Sequence, residues 1–194
     1  MNYLAHFHIA HETQTSLVGA MLGDFIKGRQ HLDLADDLMV GVILHRKVDA
    51  FTEEDPLIKR GKAFFERSQR RFAGIALDVY WDHCLAKNFD RYASEPLTVF
   101  VQRVYNTFKT HGGRYVEGYH LLTNAMIDYD WLNHYAHFDG VRRALQGLSR
   151  RRSFLEPLSD CVPSLERHQE SLDKIFHDFY PKLVQESRRW CDSI

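Results

Sequence analysis

DLADDLMVGVILHRKVDAF, residues 33–51, decides the fold class. Leu38, Val42, His45 and Asp49 recur at intervals of four, three and four, which places them on one face of an α-helix. The stripe begins apolar and ends in an imidazole and a carboxylate one turn apart, so the face that should enter the core carries chemistry at one end. A helix over about 33–51 is therefore predicted, with its polar end at a site.

The same period extends outward in both directions, with no run of strand-like alternation. Upstream, helices are expected over roughly 2–12 and from Thr15 or Ser16 to Gly28, where glycine suits a C-terminal position. Downstream, Pro56 opens a helix ending near Arg71, and another spans Phe72 to Tyr92. Pro96 opens one that stops at Gly112–Gly113, and shorter helices follow at about 114–128 and 130–137. Asp139 caps a helix ending near Arg150, and Ser164 caps a last long helix that Pro181 should kink. No repeat or linker divides the chain, so the expectation is an all-α, multi-helix bundle forming a single domain over 1–194.

Composition narrows the function classes. Of 194 residues, 44% are hydrophobic and 26% charged, a globular balance. A net charge of −1 gives no general drive toward nucleic acid or membrane surfaces. Cys84, Cys161 and Cys191 form no CxxC pair, which argues against a zinc cage or a disulfide framework. The opening MNYLAHFHIAHE lacks the basic, then apolar, pattern of a signal peptide, so a reducing cytoplasm is expected. Twelve histidines are present, three of them within the first eleven residues.

A second stripe repeats the pattern of the first. Ile75, Asp78, Asp82, Leu85 and Phe89 share a face, so two carboxylates interrupt an apolar surface, with His83 about 100° around from Asp82. Burying two bare carboxylates costs several kcal/mol unless cations or hydrogen bonds compensate. A divalent metal would do so, and oxygen-rich ligation with some imidazole suits manganese first, with magnesium or iron as alternatives. The bland reading is a buried ion-pair network with Arg46, Lys47 or the Arg67–Arg70–Arg71 cluster. Asp24, near a helix C-terminus whose dipole repels carboxylates, is a further candidate, as is His6 on the first helix. His8, His11, His134 and His137 read as packing or surface positions. Glycine-rich phosphate loops, GxSxG elbows and HExxH zinc motifs are absent from the sequence.

Asn2–Tyr3–Leu4–Ala5–His6, Leu22–Gly23–Asp24–Phe25–Ile26–Lys27–Gly28 and Gly41–Val42–Ile43–Leu44–His45–Arg46–Lys47–Val48–Asp49–Ala50–Phe51–Thr52 resemble the acyl carrier protein phosphodiesterase family. Asp78–Val79–Tyr80–Trp81–Asp82–His83, Gly140–Val141–Arg142–Arg143–Ala144–Leu145 and Leu148–Ser149–Arg150–Arg151 continue the likeness in family order, while 133–137 matches loosely. The resemblance implies an all-helical, HD-phosphohydrolase-like protein that hydrolyses the diester joining phosphopantetheine to a carrier-protein serine, with manganese or magnesium. The usual HD pair has histidine before aspartate, whereas Asp82–His83 is reversed, so ligands are assigned from this chain's own helical faces.

On that basis Asp24, His45, Asp78 and Asp82 are the expected metal ligands. His83 is a further ligand or the acid/base group, His6 an alternative proton donor, and Asp49 the carboxylate that orients His45 or a metal water. The substrate protein is holo-acyl carrier protein, small and acidic, and Arg67, Arg70, Arg71, Arg142, Arg143, Arg150, Arg151 and Arg152 are the expected docking cations. Two other readings share part of this pattern: a phosphohydrolase of nucleotides or other small phosphate esters, and an inert helical binding module with an ion-paired core.

Overall fold

The computed structural model describes residues 1–111, 113, 115 and 118–194, and among these there is no strand. Helix α1 (Tyr3–Glu12) is apolar on nearly every side, and Leu4 to Ala10 are all buried. Helix α5 (Ala73–Lys87) is buried almost all round as well, from Val79 through Ala86. Helices without a polar face belong at the centre of a bundle, and these two pack on each other there.

Helix α2 (Leu17–Leu22) starts at Ser16, whose hydroxyl accepts from the Gly19 amide at 3.1 Å. It ends six residues before Gly28, and the following turn is tied down from outside. Arg46 donates to the Ile26 and Gly28 carbonyls at 2.8 and 2.9 Å, a use of its guanidinium that involves no carboxylate. Helix α3 (Asp36–Glu54) follows a 3₁₀ turn at Gln30–Asp33 and crosses α2 very closely. The crossing depends on glycine on both sides. A Cβ on Gly41 would lie 2.7 Å from the Gly19 Cα, and one on Gly19 would lie 2.7 Å from the Leu38 carbonyl oxygen.

Beyond α3 the helices are shorter than the sequence period predicts. Helix α4 (Pro56–Lys62) has Asp55 as its cap and gives way to turns over 63–72, not to a helix reaching Arg71. After α5, a 3₁₀ turn (Phe89–Arg91) replaces the last helical turn expected before Tyr92. Helix α6 (Leu97–Thr110) leads to α7 (Tyr119–Asp128) and α8 (Trp131–His134). The expected start of a helix near 114 lies, in part, outside the described residues.

Helix α9 (Phe138–Ser149) has His137 at its N-cap, so Asp139 sits inside the first turn and pairs with Arg143 at 2.7 Å. A 3₁₀ stretch (Ser153–Cys161), α10 (Val162–Arg167) and α11 (Gln169–Cys191) complete the chain. Ser164 caps nothing. It is buried within α10 and donates to Gln69 Oε1 at 2.8 Å. Helix α11 continues through Pro181 and packs on α1, α3, α4 and α5. Among the described residues no helix is long and apolar enough to cross a membrane.

Candidate functional site

The glycine crossing sets the site. Gly41 brings α3 against α2, and one turn later His45 Nδ1 meets the Ala20 carbonyl at 2.8 Å. A carbonyl can only accept, so Nδ1 donates there and Nε2 is the nitrogen turned toward the site. It faces Asp49 Oδ2 at 3.2 Å and Asp24 Oδ1 at 3.7 Å. Gly23 leaves room for the ring, since a Cβ there would run into the imidazole. His6, from α1, stacks on His45 with ring centroids 3.8 Å apart and planes 11° off parallel. Its Nε2 lies 3.1 Å from Asp49 Oδ1, and its buried Nδ1 has no partner among the described residues.

His6, His45 and Asp49 thus offer ligand atoms all within 4.8 Å of one another. Burial, then the neighbouring His45, hold the His6 imidazole down to about 3, which keeps it neutral and able to donate a lone pair. Burial opposes the charge on Asp49, but hydrogen bonds with His45 and His6 outweigh it and hold the carboxyl well below its usual range. Burial raises Asp24 despite the nearby His45. Two imidazoles and an ionised carboxylate form a donor set that fits a divalent cation of the manganese type. His45 sharpens that fit, because its Nδ1 is committed to a backbone carbonyl and its Nε2 is held toward two carboxylate oxygens.

Asp78 stands beside this cluster, 3.0 Å from the Met1 α-ammonium, which also reaches Asp49 at 3.5 Å. Burial works against that ammonium, yet Asp78 and Asp49 raise its pKa above the ordinary value. The cluster opens on a cleft of about 440 Å³ whose walls include Asp24, Asp49, Asp78, Lys62 and Tyr3. The Asp24 and Asp49 side chains are each 46% exposed, so a substrate oxygen can reach them.

Asp82, of the second stripe, and its neighbour His83 point elsewhere. Asp82 is fully buried, and its oxygens accept from the Leu4 and Ala5 amides at 2.8 and 3.0 Å. It takes the place of a missing N-cap side chain on α1, satisfying two amides of the first turn and the positive end of the dipole. Burial nevertheless pushes its pKa up to about 7. His83 turns the other way, with Nδ1 2.7 Å from the Tyr135 carbonyl and the ring edge-on to Phe138. The structure therefore does not bring His83 to the cluster, because neighbours in a helix diverge by about 100°.

The arginines divide as well. Arg67 and Arg70 are exposed, and Arg71 lies over the Phe72 ring at 4.5 Å. Arg142 pairs with Glu166, and Arg143 with Asp139. Arg150, Arg151 and Arg152 are exposed and make no ion pair with a described residue. Sequence reasoning missed the Met1 ammonium and Lys62. Lys62 had a signal, since it follows Ile58 by one helical turn and both line the cleft.

Residues 1–183 match the family model described as acyl carrier protein phosphodiesterase. Among curated proteins the chain is similar to the acyl carrier protein phosphodiesterase of Yersinia enterocolitica, with 31% identity over 189 residues, 97% of this chain and 98% of that one. The Escherichia coli protein of the same name is also 31% identical, over 194 residues and the same shares of each chain. No solved structure matches.

Proposed function

The chain belongs to the acyl carrier protein phosphodiesterase family, and from that premise we propose how its cleft cuts the phosphodiester of holo-acyl carrier protein to leave the apo form and 4′-phosphopantetheine. The reaction is that of a phosphoric diester hydrolase. The metal part of the proposal rests on one observation: a histidine with its Nδ1 committed to a backbone carbonyl and its Nε2 aimed at two carboxylates.

His6, His45, Asp49 and Asp24 would hold the ion, with Asp78 available on the same side of the cleft. When bound, a divalent ion supplies Lewis-acid stabilisation of phosphoryl charge and acidifies water near neutral pH. The chain's own residues do the rest. The Ala20 carbonyl fixes the His45 tautomer, and Asp49 spans both imidazoles and holds them in register. Lys62 lines the cleft and is the donor we assign to the departing serine oxygen, in place of His83.

Arg151, at the rim, attracts the acidic carrier, with Arg143, Arg150 and Arg152 around it. The three free cysteines accord with a cytoplasmic site of action. Kinship with HD phosphohydrolases is part of the same proposal, supported by the all-helical fold and the mixed imidazole–carboxylate cluster.

Intact-protein mass spectrometry of holo-acyl carrier protein tests the reading. Conversion to the apo mass, stopped by chelator and restored by manganese, is expected. An unchanged carrier mass with folded, manganese-supplied protein would refute it.

A further inference from the structure

A second cavity, of about 400 Å³, opens directly beside the site cleft. Asn2, Tyr3, Val79 and Leu148 line both, so a molecule whose phosphate lies at the carboxylate–imidazole cluster can continue into the second space without leaving the protein. The volume falls within the roughly 300–1,000 Å³ of small-molecule sites. Its outer wall is one face of α9, formed by Gly140, Ala144, Gly147 and Leu148, with Arg143 and Arg151 beside it. The opposite wall is aromatic, from Tyr129, Trp131 and Tyr135.

We propose that this groove receives the pantetheine part of the substrate, the uncharged chain on the far side of the phosphate from the carrier-protein serine. The inference rests on the phosphodiesterase reading and adds to it the place where the leaving product is held. Three observations select this occupant. The groove is continuous with the cleft, while its volume of about 400 Å³ is far too small for a folded carrier domain. Its walls combine apolar surface with few polar groups, which suits a chain of methylenes, a dimethyl-substituted carbon and two amides. The polar groups sit at the junction: Asn2 Nδ2 donates to the Tyr135 hydroxyl at 2.9 Å, and Asn2 Oδ1 accepts from no described residue. An amide N–H of the arm can donate to that oxygen.

Tyr129 is 68% exposed although it is aromatic, as expected of a wall whose partner is not part of this chain. Arg151 lies near enough to Tyr3 to influence its phenol, which puts the guanidinium at the boundary of the two spaces, where the phosphate must pass. Interactions along the remote arm orient the diester, so that losing them lowers turnover and not affinity alone.

Gly147 provides the test. A Cβ there meets no atom within 4 Å, so Gly147→Trp projects an indole into the groove without displacing the helix. Saturation-transfer NMR with free pantetheine should show the methyl protons in contact with the manganese-free wild type. That contact should be lost in Gly147→Trp and in Tyr129→Ala, an exposed site where truncation leaves the core intact. The ratio of kcat/KM for holo-acyl carrier protein to that for bis(p-nitrophenyl) phosphate, which has no arm, should fall at least about tenfold in both variants. No transfer to pantetheine in the wild type, or a ratio within about twofold of wild type in both variants, would overturn the groove assignment. Failure of the wild type to process holo-acyl carrier protein would instead remove the phosphodiesterase reading. The pantetheine signals would then decide the groove by themselves.

Discussion

Gly41→Ala isolates the crossing that builds the site. The added methyl would lie 2.7 Å from the Gly19 Cα, 2.9 Å from the Gly19 carbonyl carbon and 3.0 Å from the Ala20 amide nitrogen, all backbone atoms that no rotamer change can move. Restoring ordinary contact requires α2 to withdraw by roughly 1 Å, which breaks close packing. Overpacking of this kind costs about 1–3 kcal/mol, and the better helix propensity of alanine returns somewhat under 1 kcal/mol. A net loss of about 1–2 kcal/mol lowers Tm by roughly 2–8 °C in a chain of this size.

The displaced segment carries the Ala20 carbonyl that orients His45, and Asp24 follows it. Manganese affinity should therefore fall about 10–100-fold, the usual cost of losing a partner that orients a ligand. The assay is calorimetric unfolding in chelator, followed by manganese titration of each protein. Gly147→Ala is the internal comparison, because it places the same methyl in open space and should raise stability by about 0.5–1 kcal/mol. If both substitutions shift Tm in the same direction, or if Gly41→Ala binds manganese like wild type, the crossing does not position the site.

Other outcomes follow from named contacts. Manganese at about 100 times its Kd should stabilise the wild type by about 2.7 kcal/mol, a Tm rise of roughly 5–10 °C. Asp49→Asn should show no such rise and no turnover, and an undiminished rise would remove Asp49 from the ligand set. His8 is neutral and fully bonded between the Tyr180 hydroxyl and the Tyr92 carbonyl, with burial holding its imidazole down to about 4. The unfolded chain binds that proton first, so stability is full above about pH 6.5 and falls by about 3 kcal/mol as pH drops toward 4. His8→Gln should flatten the acid limb of a Tm-against-pH curve, and an identical slope would contradict the assignment. Arg151→Ala should raise KM for holo-acyl carrier protein and weaken its salt dependence, whereas salt dependence equal to wild type would place docking elsewhere.

The α3 stripe was readable because a helix imposes its period on the sequence before any packing exists: Leu38, Val42 and His45 are buried, and Asp49 continues their face into the cleft. What lies opposite a stripe has no such local trace. Asp82 reads as a ligand by spacing, yet α5 meets the first turn of α1 at that level, and two amides there need an acceptor. His83 is adjacent to it in sequence and for that reason cannot share its direction. The stacking of His6 on His45 depends on how α1 packs against both α2 and α3, which no single helix records. Helix ends were less legible still: α2 and α4 stop early, where long-range contacts from Arg46 and Gln69 secure the irregular backbone that follows.

The position of α1 also has a consequence for how the protein is made. Helix α1, among the most enclosed in the finished fold, leaves the ribosome well before α11, which helps enclose it. At about 5–20 residues per second, roughly 10–30 s separate the two. During that interval Leu4, Phe7 and Ile9 have no permanent cover, so the nascent chain depends on provisional shelter, and the fold around His6 closes only once α11 has been made.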